Sequence, residues 1–185
     1  MSSLILIKHS LVQIDGDVPP EQWRLSAEGR TRCRKLASAL RIFKPQVIVS
    51  SEEPKAVETG ELLAHILKLD WRTASGLAEH QRPYLPEHEF QTAMQRFFAA
   101  PDERGFGDES AEEAHRRFAA AVEAVIADQP DRNVAIVSHG TVIALYAAPY
   151  FQVGTAALWN RLESPSFVVI DRGTMRGAAI IDSVE

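Results

Sequence analysis

Short apolar segments alternate along the chain with segments whose apolar residues recur at helical spacing. Within the short segments, apolar residues follow one another without the polar alternation of a half-exposed strand. Such continuous apolarity is typical of strands buried on both faces of a sheet. The pattern predicts strands at Leu4–Ile7, Val47–Val49, Val134–Val137, Phe167–Ile170 and Ala178–Ile181.

The residues after the first two predicted strands have the periodicity of amphipathic helices. Cys33, Leu36 and Leu40 recur on one helical face, and Ser26 precedes them as a candidate N-cap. Pro54 suits the first turn of a second helix. Backbone N–H groups in the first turn have no acceptor within the helix, so the missing N–H of proline costs nothing there. The chain therefore begins strand, helix, strand, helix.

A further helix start precedes the third predicted strand. Ser110 and Glu113 have the spacing of a capping box, and Phe118 and Val122 follow along one apolar stripe. Repeated alternation of strands and helices predicts an α/β fold, a three-layer α/β/α sandwich with a mostly parallel central sheet. Residues 171–174, Asp-Arg-Gly-Thr, have the composition of the turn of a terminal hairpin.

Residues 74–108 depart from this alternation, because Pro83, Pro86 and Pro101 interrupt them. Within them, only the spacing of the aromatic residues and methionine between 90 and 98 predicts a helix. We expect one domain over residues 1–185, with residues 74–108 inserted as a lid that carries specificity residues over a site. Packing is an equally open role for the aromatic side chains in this segment.

Composition and charge narrow the possible partners. The 185 residues are 45% hydrophobic and 24% charged, enough for one core, and the formal net charge of −5 offers no overall attraction to nucleic acid or an anionic membrane. An anionic ligand would therefore need a local cationic pocket. Cys33 is the single cysteine, which excludes an internal disulfide and a thiolate metal cluster. No segment has the length of a signal peptide or a membrane span, so we expect a cytoplasmic protein; its oligomeric state stays open.

Two histidines stand at equivalent places, each directly after a predicted parallel strand. The first strand ends in Lys8-His9-Ser10 and the third in Ser138-His139-Gly140. In open parallel sheets, ligands bind at the carboxyl ends of the strands, so both imidazoles are expected in one crevice. Either histidine alone is typical of a hydrogen-bonded residue at a strand end, but the pair, beside a lysine and a helix N-terminus that favours anions, indicates function.

Several motifs resemble those of the histidine phosphatase superfamily, which includes the cofactor-dependent phosphoglycerate mutases. Leu4 to Ser10 is similar to the strand that ends in Arg-His-Gly, and Val137 to Gly140 is similar to the second histidine motif. Between them lie four further segments that resemble family motifs in the family's order: Leu25 to Gly29, Ser50 to Thr59, Leu77 to Glu79 and Gly107 to Ser110. The resemblance thus extends from residue 4 to residue 140.

This resemblance implies a phosphoglycerate mutase-like fold and a phosphatase that forms a phosphohistidine on His9. By the same resemblance, His139 would bind the phosphoryl oxygens and, as an imidazolium, stabilise their charge in the transition state. Lys8 and Lys55 would complete the phosphate-binding pocket, and Glu79 would protonate the leaving alcohol and then help to activate water. The implied partner is phosphate or a small phosphorylated substrate, with no metal and no organic cofactor.

Lys8 and Lys55 stand where the family motifs have arginines. A lysine keeps the charge but lacks the planar fork that grips two phosphate oxygens at once. An alternative function therefore stays open, a non-catalytic or weakly active phospho-ligand-binding protein that keeps the cationic pocket. A mutase is the less favoured enzyme, since family mutases tend to be longer.

Other polar residues have ordinary explanations at this point. Glu79 could be a solvated loop carboxylate, in which case Glu109 is the reserve proton donor, although an acidic residue at a helix start is common. Ser10 and Ser51 are typical turn residues and are left out of the predicted site. His80, His88 and Glu89 lack a metal-ligand pattern and are expected in an exposed loop.

Overall fold

A computed structural model describes residues 2–185 and places one six-stranded sheet at the centre of the molecule. The strand order is β3-β2-β4-β1-β5-β6. Pairs among the first four strands of this order are parallel, whereas β5 is antiparallel to both of its neighbours. The strands are β1 Ser3–Lys8, β2 Val47–Ser50, β3 Trp71–Thr73, β4 Val134–Ser138, β5 Ser166–Asp171 and β6 Arg176–Ile181. The predicted mostly parallel sheet is confirmed.

Six α-helices accompany the strands within residues 2–185, and residues that the sequence indicated as helix starts begin three of them. The Ser26 side chain accepts from the Gly29 N–H, Pro54 opens the second helix, and Ser110 forms a reciprocal capping box with Glu113. The helices are α1 Ala27–Leu40, α2 Pro54–Leu67, α3 Glu87–Ala99, α4 Ala111–Ala127, α5 Gly140–Phe151 and α6 Thr155–Arg161.

The helices lie on both faces of the sheet, which confirms the three-layer sandwich. Successive residues of β1 point to opposite faces, so Leu4 and Leu6 join the core formed with α4, α5 and α6, whereas Ile5 and Ile7 join the core formed with α1 and α2. This double burial is the physical reason for the continuous apolar character of the central strands.

Residues 74–108 run from the end of β3 to the start of α4 and contain α3. Met94 and Phe97 of this helix are buried and pack with Ala111, with Trp159 of α6 against the same cluster. The predicted helix around Phe90 to Phe98 is confirmed. The role of this segment as a lid stays a prediction.

Among the strands and α-helices of residues 2–185, β3 and α6 were not predicted from the sequence. Both are short, of three and seven residues, so neither repeats an apolar period often enough to be recognised. Within residues 2–185, no single helix is long and apolar enough to cross a membrane; α5 and α6 meet that description only as a pair, bent by 117°.

Candidate active site

The pairing of β1 with β4 brings the two predicted histidines together. These neighbouring strands run parallel, and Lys8 is opposite Ser138 in the register. His9 and His139 each come one residue later, so both emerge at the same edge of the sheet. Their ring centroids are 5.3 Å apart with an interplanar angle of 60°. The spatial prediction made from the two strand ends is therefore met.

His9 is a buried and neutral imidazole with one free ring nitrogen. Burial lowers its pKa well below 6.5, and the nearby His139 and Lys55 lower that pKa further. Its Nδ1 lies 2.8 Å from the backbone oxygen of Ser10. Because a carbonyl oxygen only accepts hydrogen bonds, Nδ1 carries the proton and Nε2 keeps its lone pair. A neutral imidazole with this tautomer is a competent nucleophile near pH 7.

His139 precedes the first turn of α5 and has no exposed surface. Its Nε2 lies 2.9 Å from Oγ of Ser51 and 3.4 Å from Oε1 of Glu53, whereas its buried Nδ1 has no hydrogen-bond partner within residues 2–185. Burial, reinforced by Lys55, lowers its pKa well below 6.5. The free protein therefore holds a neutral His139, and the imidazolium that the resemblance implies for the transition state stays a prediction.

Lys8 lies along the N-terminal end of α5. Its Nζ donates to the backbone oxygen of Leu162 at 2.7 Å, and burial lowers its pKa. A Cβ at Gly140 would come within 3.2 Å of the lysine Cε. The glycine thus leaves room for Lys8 to pass the helix terminus and reach the site.

Lys55 lies at the site but already has an anionic partner, which the sequence did not reveal. Its ammonium forms a buried ion pair with Glu53 and donates to the backbone oxygen of Pro20 at 2.8 Å. Both members of the pair are nearly inaccessible, with Lys55 5% and Glu53 8% exposed. Glu53 was missed because a glutamate just before a helix proline has the pattern of an ordinary solvated carboxylate.

The Glu79 carboxylate sits between two backbone amides. Its Oε1 accepts from the His80 N–H at 2.9 Å, and its Oε2 accepts from the Thr141 N–H at 3.1 Å, in the first turn of α5. The Glu79 backbone N–H in turn donates to Glu53 at 2.7 Å. The predicted proton donor thus lies at the same helix terminus as His139.

Glu109, the reserve proton donor, acts elsewhere. It forms an ion pair with Arg117, and the same guanidinium donates to the backbone oxygens of Gly76 and Ala78, each at 2.9 Å. This pair therefore fixes the loop that carries Glu79 and does not contribute a carboxylate to the site.

The prediction that His80 is an exposed loop residue is wrong, because its side chain is buried, with the residue only 2% exposed. Its ring lies 4.2 Å from that of Phe97, centroid to centroid, and its Nε2 is 3.1 Å from the backbone oxygen of Glu109. The aromatic cluster around α3 encloses it, which sequence spacing alone did not indicate.

A cavity of about 180 Å³ opens at this edge of the sheet, and His9, Lys8, Lys55 and Glu79 all line it. Of the predicted site residues, only His139 lies outside the lining, packed directly against His9. Among residues 2–185, no three His, Cys, Asp or Glu side chains gather closely enough to hold a metal ion. The arrangement places a neutral nucleophile around one small space together with two ammonium groups, the guanidinium of Arg82 and the carboxylates of Glu21, Glu53 and Glu79.

Comparison with known proteins supplies the family. A model of the histidine phosphatase superfamily (branch 1) matches residues 7–178. The chain belongs to this superfamily. The match extends through β5 to β6, beyond the motifs recognised in the sequence. No curated protein matches the chain in sequence.

Several solved structures share the fold of this histidine phosphatase superfamily member over nearly its whole length. The mycobacterial glucosyl-3-phosphoglycerate phosphatase has a TM-score of 0.77 at 21% identity, over 98% of this chain and 99% of its own. Phosphoserine phosphatase from Entamoeba histolytica, in complex with 3-phosphoglyceric acid, has a TM-score of 0.78 at 15% identity, covering 99% and 98%. Bacillus stearothermophilus YhfR has a TM-score of 0.77 at 19% identity, covering 100% and 98%.

Proposed function

We propose that the protein is a phosphatase that hydrolyses a phosphomonoester through a phosphohistidine on His9. The observation that carries this proposal is the state of the His9 ring, neutral and with its Nδ1 bonded to the Ser10 carbonyl. That tautomer leaves the Nε2 lone pair for attack on phosphorus. Membership of the superfamily supports the same chemistry.

In the first step, Nε2 of His9 forms a bond to phosphorus as the bond to the ester oxygen breaks. Glu79 lines the same cavity and, in its protonated form, would give its proton to the leaving alcohol. In the second step, water attacks phosphorus, its proton passes to Glu79, and the bond from phosphorus to His9 breaks. Phosphate leaves and His9 returns to its original state.

Cations and a second histidine would stabilise the transferred group. Lys8 and Lys55 place ammonium groups at the cavity, where they would balance charge on the phosphoryl oxygens. The Nδ1 of His139 is buried and has no hydrogen-bond partner in the described part of the chain, and a phosphoryl group on the adjoining His9 would supply one. A proton gained by His139 at that point would create the imidazolium that the free protein lacks.

The proposal is tested by comparing wild type with His9→Ala on p-nitrophenyl phosphate. Loss of the nucleophile should lower kcat by on the order of 10³-fold or more. His65→Ala, an exposed position on α2, is the matched control and should keep the wild-type rate. Equal rates for wild type and His9→Ala would remove His9 from the mechanism.

A phospho-ligand-binding protein without turnover is the second candidate. Lys8 and Lys55 at the cavity favour it, because an ammonium supplies charge without the planar fork that fixes two phosphoryl oxygens at once. Alkaline quenching during turnover of a radiolabelled phosphomonoester separates the two candidates. Label retained by wild type and absent from His9→Ala supports the phosphatase. Phosphate binding with no trapped label would support the binding protein, and transfer of phosphate between the hydroxyls of a phosphoglycerate would indicate a mutase.

A further inference from the structure

A second cavity of about 460 Å³ adjoins the cavity at His9. The two are continuous, because Lys8, Trp23, Arg82, Phe90 and Trp159 line both of them. We call the second cavity the aromatic vestibule, after the four aromatic rings in its wall, Trp23, Tyr84, Phe90 and Trp159. Its volume is in the range of clefts that hold small ligands. A group attached to a phosphate at His9 can extend into this vestibule.

The aromatic rings of the vestibule contact one another in pairs. Trp23 and Tyr84 meet edge to face with centroids 5.9 Å apart, and Phe90 and Trp159 do so at 5.7 Å. The guanidinium of Arg82 covers the ring of Phe90 at 3.9 Å from its centroid. These contacts hold large flat surfaces in place before any ligand arrives, so little conformational freedom is lost on binding.

Exposed apolar side chains are concentrated at the same place. Across residues 2–185, four large apolar side chains are exposed: Ile14, Ile42, Tyr84 and Met175. Two of them, Ile14 at 62% and Tyr84 at 40% exposure, line the vestibule. Binding of an apolar ligand is favoured where it removes such exposed apolar surface from water.

The charges around the cavity at His9, which we call the inner cavity, limit how tightly a phosphate group alone can bind. Six charged side chains line this cavity, the three cations of Lys8, Lys55 and Arg82 and the three carboxylates of Glu21, Glu53 and Glu79. An incoming phosphate therefore meets a nearly balanced set of charges and gains less Coulomb energy than in a purely cationic pocket. Additional binding energy has to come from the rest of the substrate.

From these observations we infer that the substrate is a phosphomonoester of a bulky apolar or aromatic alcohol, whose leaving group occupies the aromatic vestibule. This inference rests on the proposed phosphatase function and adds the substrate class. Small polar phosphate esters would reach His9 but leave the apolar wall of the vestibule uncovered. Discrimination therefore lies in Tyr84, Ile14 and the tryptophans, and not in the residues that perform the chemistry.

The test compares 3-phenylpropyl phosphate with n-propyl phosphate, two esters of primary alcohols with matched leaving-group chemistry. We expect kcat/KM to favour the phenyl ester by about tenfold or more, because its ring leaves water on binding. Tyr84→Ala and Ile14→Ala should each lower kcat/KM for the phenyl ester more than for the n-propyl ester, so that the preference falls by roughly threefold. Met175→Ala and Ile42→Ala, exposed apolar positions outside the vestibule, are the matched controls and should keep the preference.

The outcomes separate this inference from the proposed function. Equal kcat/KM for the two esters, with both rates lost in His9→Ala, would overturn the inference and leave the phosphatase intact. Rates that persist in His9→Ala would overturn the proposed function. If neither ester is turned over, calorimetry with the corresponding 4-phenylbutyl and n-butyl phosphonates decides: tighter binding of the phenyl compound supports the vestibule as its site, and equal affinities refute it.

Discussion

Glu53 and Lys55 form a buried ion pair in the wall of the histidine pocket. The carboxylate also accepts from the Glu79 backbone N–H and lies 3.4 Å from Nε2 of His139. One side chain therefore links a pocket cation, the second histidine and the loop of the proposed proton donor. Because the pair is withdrawn from water, its removal should change both phosphate binding and stability.

Replacing Glu53 should strengthen phosphate binding while weakening the fold. Glu53→Gln removes the negative charge beside Lys55, so inhibition by inorganic phosphate should tighten by about tenfold, equivalent to ~1.4 kcal/mol. The unpaired buried ammonium should cost about 3–5 kcal/mol of unfolding free energy when phosphate is absent. Inhibition constants and urea unfolding with and without phosphate measure the two effects.

Glu52→Gln is the control for this change, because Glu52 is the exposed neighbour of Glu53. It removes the same charge from the chain without touching Lys55. A Glu53→Gln protein that loses stability but binds phosphate as wild type does would show that the pair serves the fold alone.

The two buried histidines should make the protein less stable below neutral pH. The pKa of His9 and that of His139 are both lowered from 6.5, so the unfolded chain takes up protons at a higher pH than the folded one. The unfolding free energy should therefore show no loss from these histidines above about pH 6.5. Below that pH it should fall, by up to ~1.4 kcal/mol per pH unit for each histidine. Urea unfolding at a series of pH values measures this slope.

Protonation of carboxylates also lowers the unfolding free energy at acid pH. The contribution of a histidine is therefore measured as the difference between the wild-type curve and that of a histidine variant. His9→Ala should reduce the slope between pH 6.5 and 5.5, because one group that resists protonation in the folded state is gone. Parallel stability curves for the two proteins would mean that His9 is not held neutral by the fold.

Arg117 should act as a positioning residue for Glu79. Its guanidinium pairs with Glu109 and donates to the backbone oxygens of Gly76 and Ala78, while no part of it lines the inner cavity. Arg117→Ala frees the loop, so kcat should fall by about tenfold or more with little change in KM. The pH profile of kcat should also move, because a misplaced carboxylate donates its proton less effectively.

Arg116→Ala is the matched comparison, since Arg116 is the exposed preceding residue of the same helix. It should keep the wild-type kcat and pH profile. Arg117→Lys, which retains a charge for Glu109, should recover part of the lost rate. A uniform loss of thermal stability in Arg117→Ala with unchanged kcat would contradict the positioning role.

Much of the architecture followed from local features of the chain. Ser26 and Ser110 begin helices as predicted, because an N-cap hydroxyl needs only the amides of the next turn. The pairing of His9 with His139 was also within reach of the sequence. Each histidine directly follows a largely apolar strand, and the carboxyl ends of parallel strands meet at one edge of the sheet.

What the sequence left undecided depends on contacts between distant segments. Nothing in the local pattern distinguishes Glu53 from the exposed Glu52; only the packing of the α2 terminus against Pro20 and His139 buries one and not the other. His80 has the polar neighbours of a surface loop, yet the rings of α3 enclose it. Periodicity and spacing along the sequence determine the layers of the fold and the ends of its strands. The charge and burial of the pocket depend on residues that are remote in the chain. The tertiary fold therefore decides which side chains face the pocket and which partner each of them has.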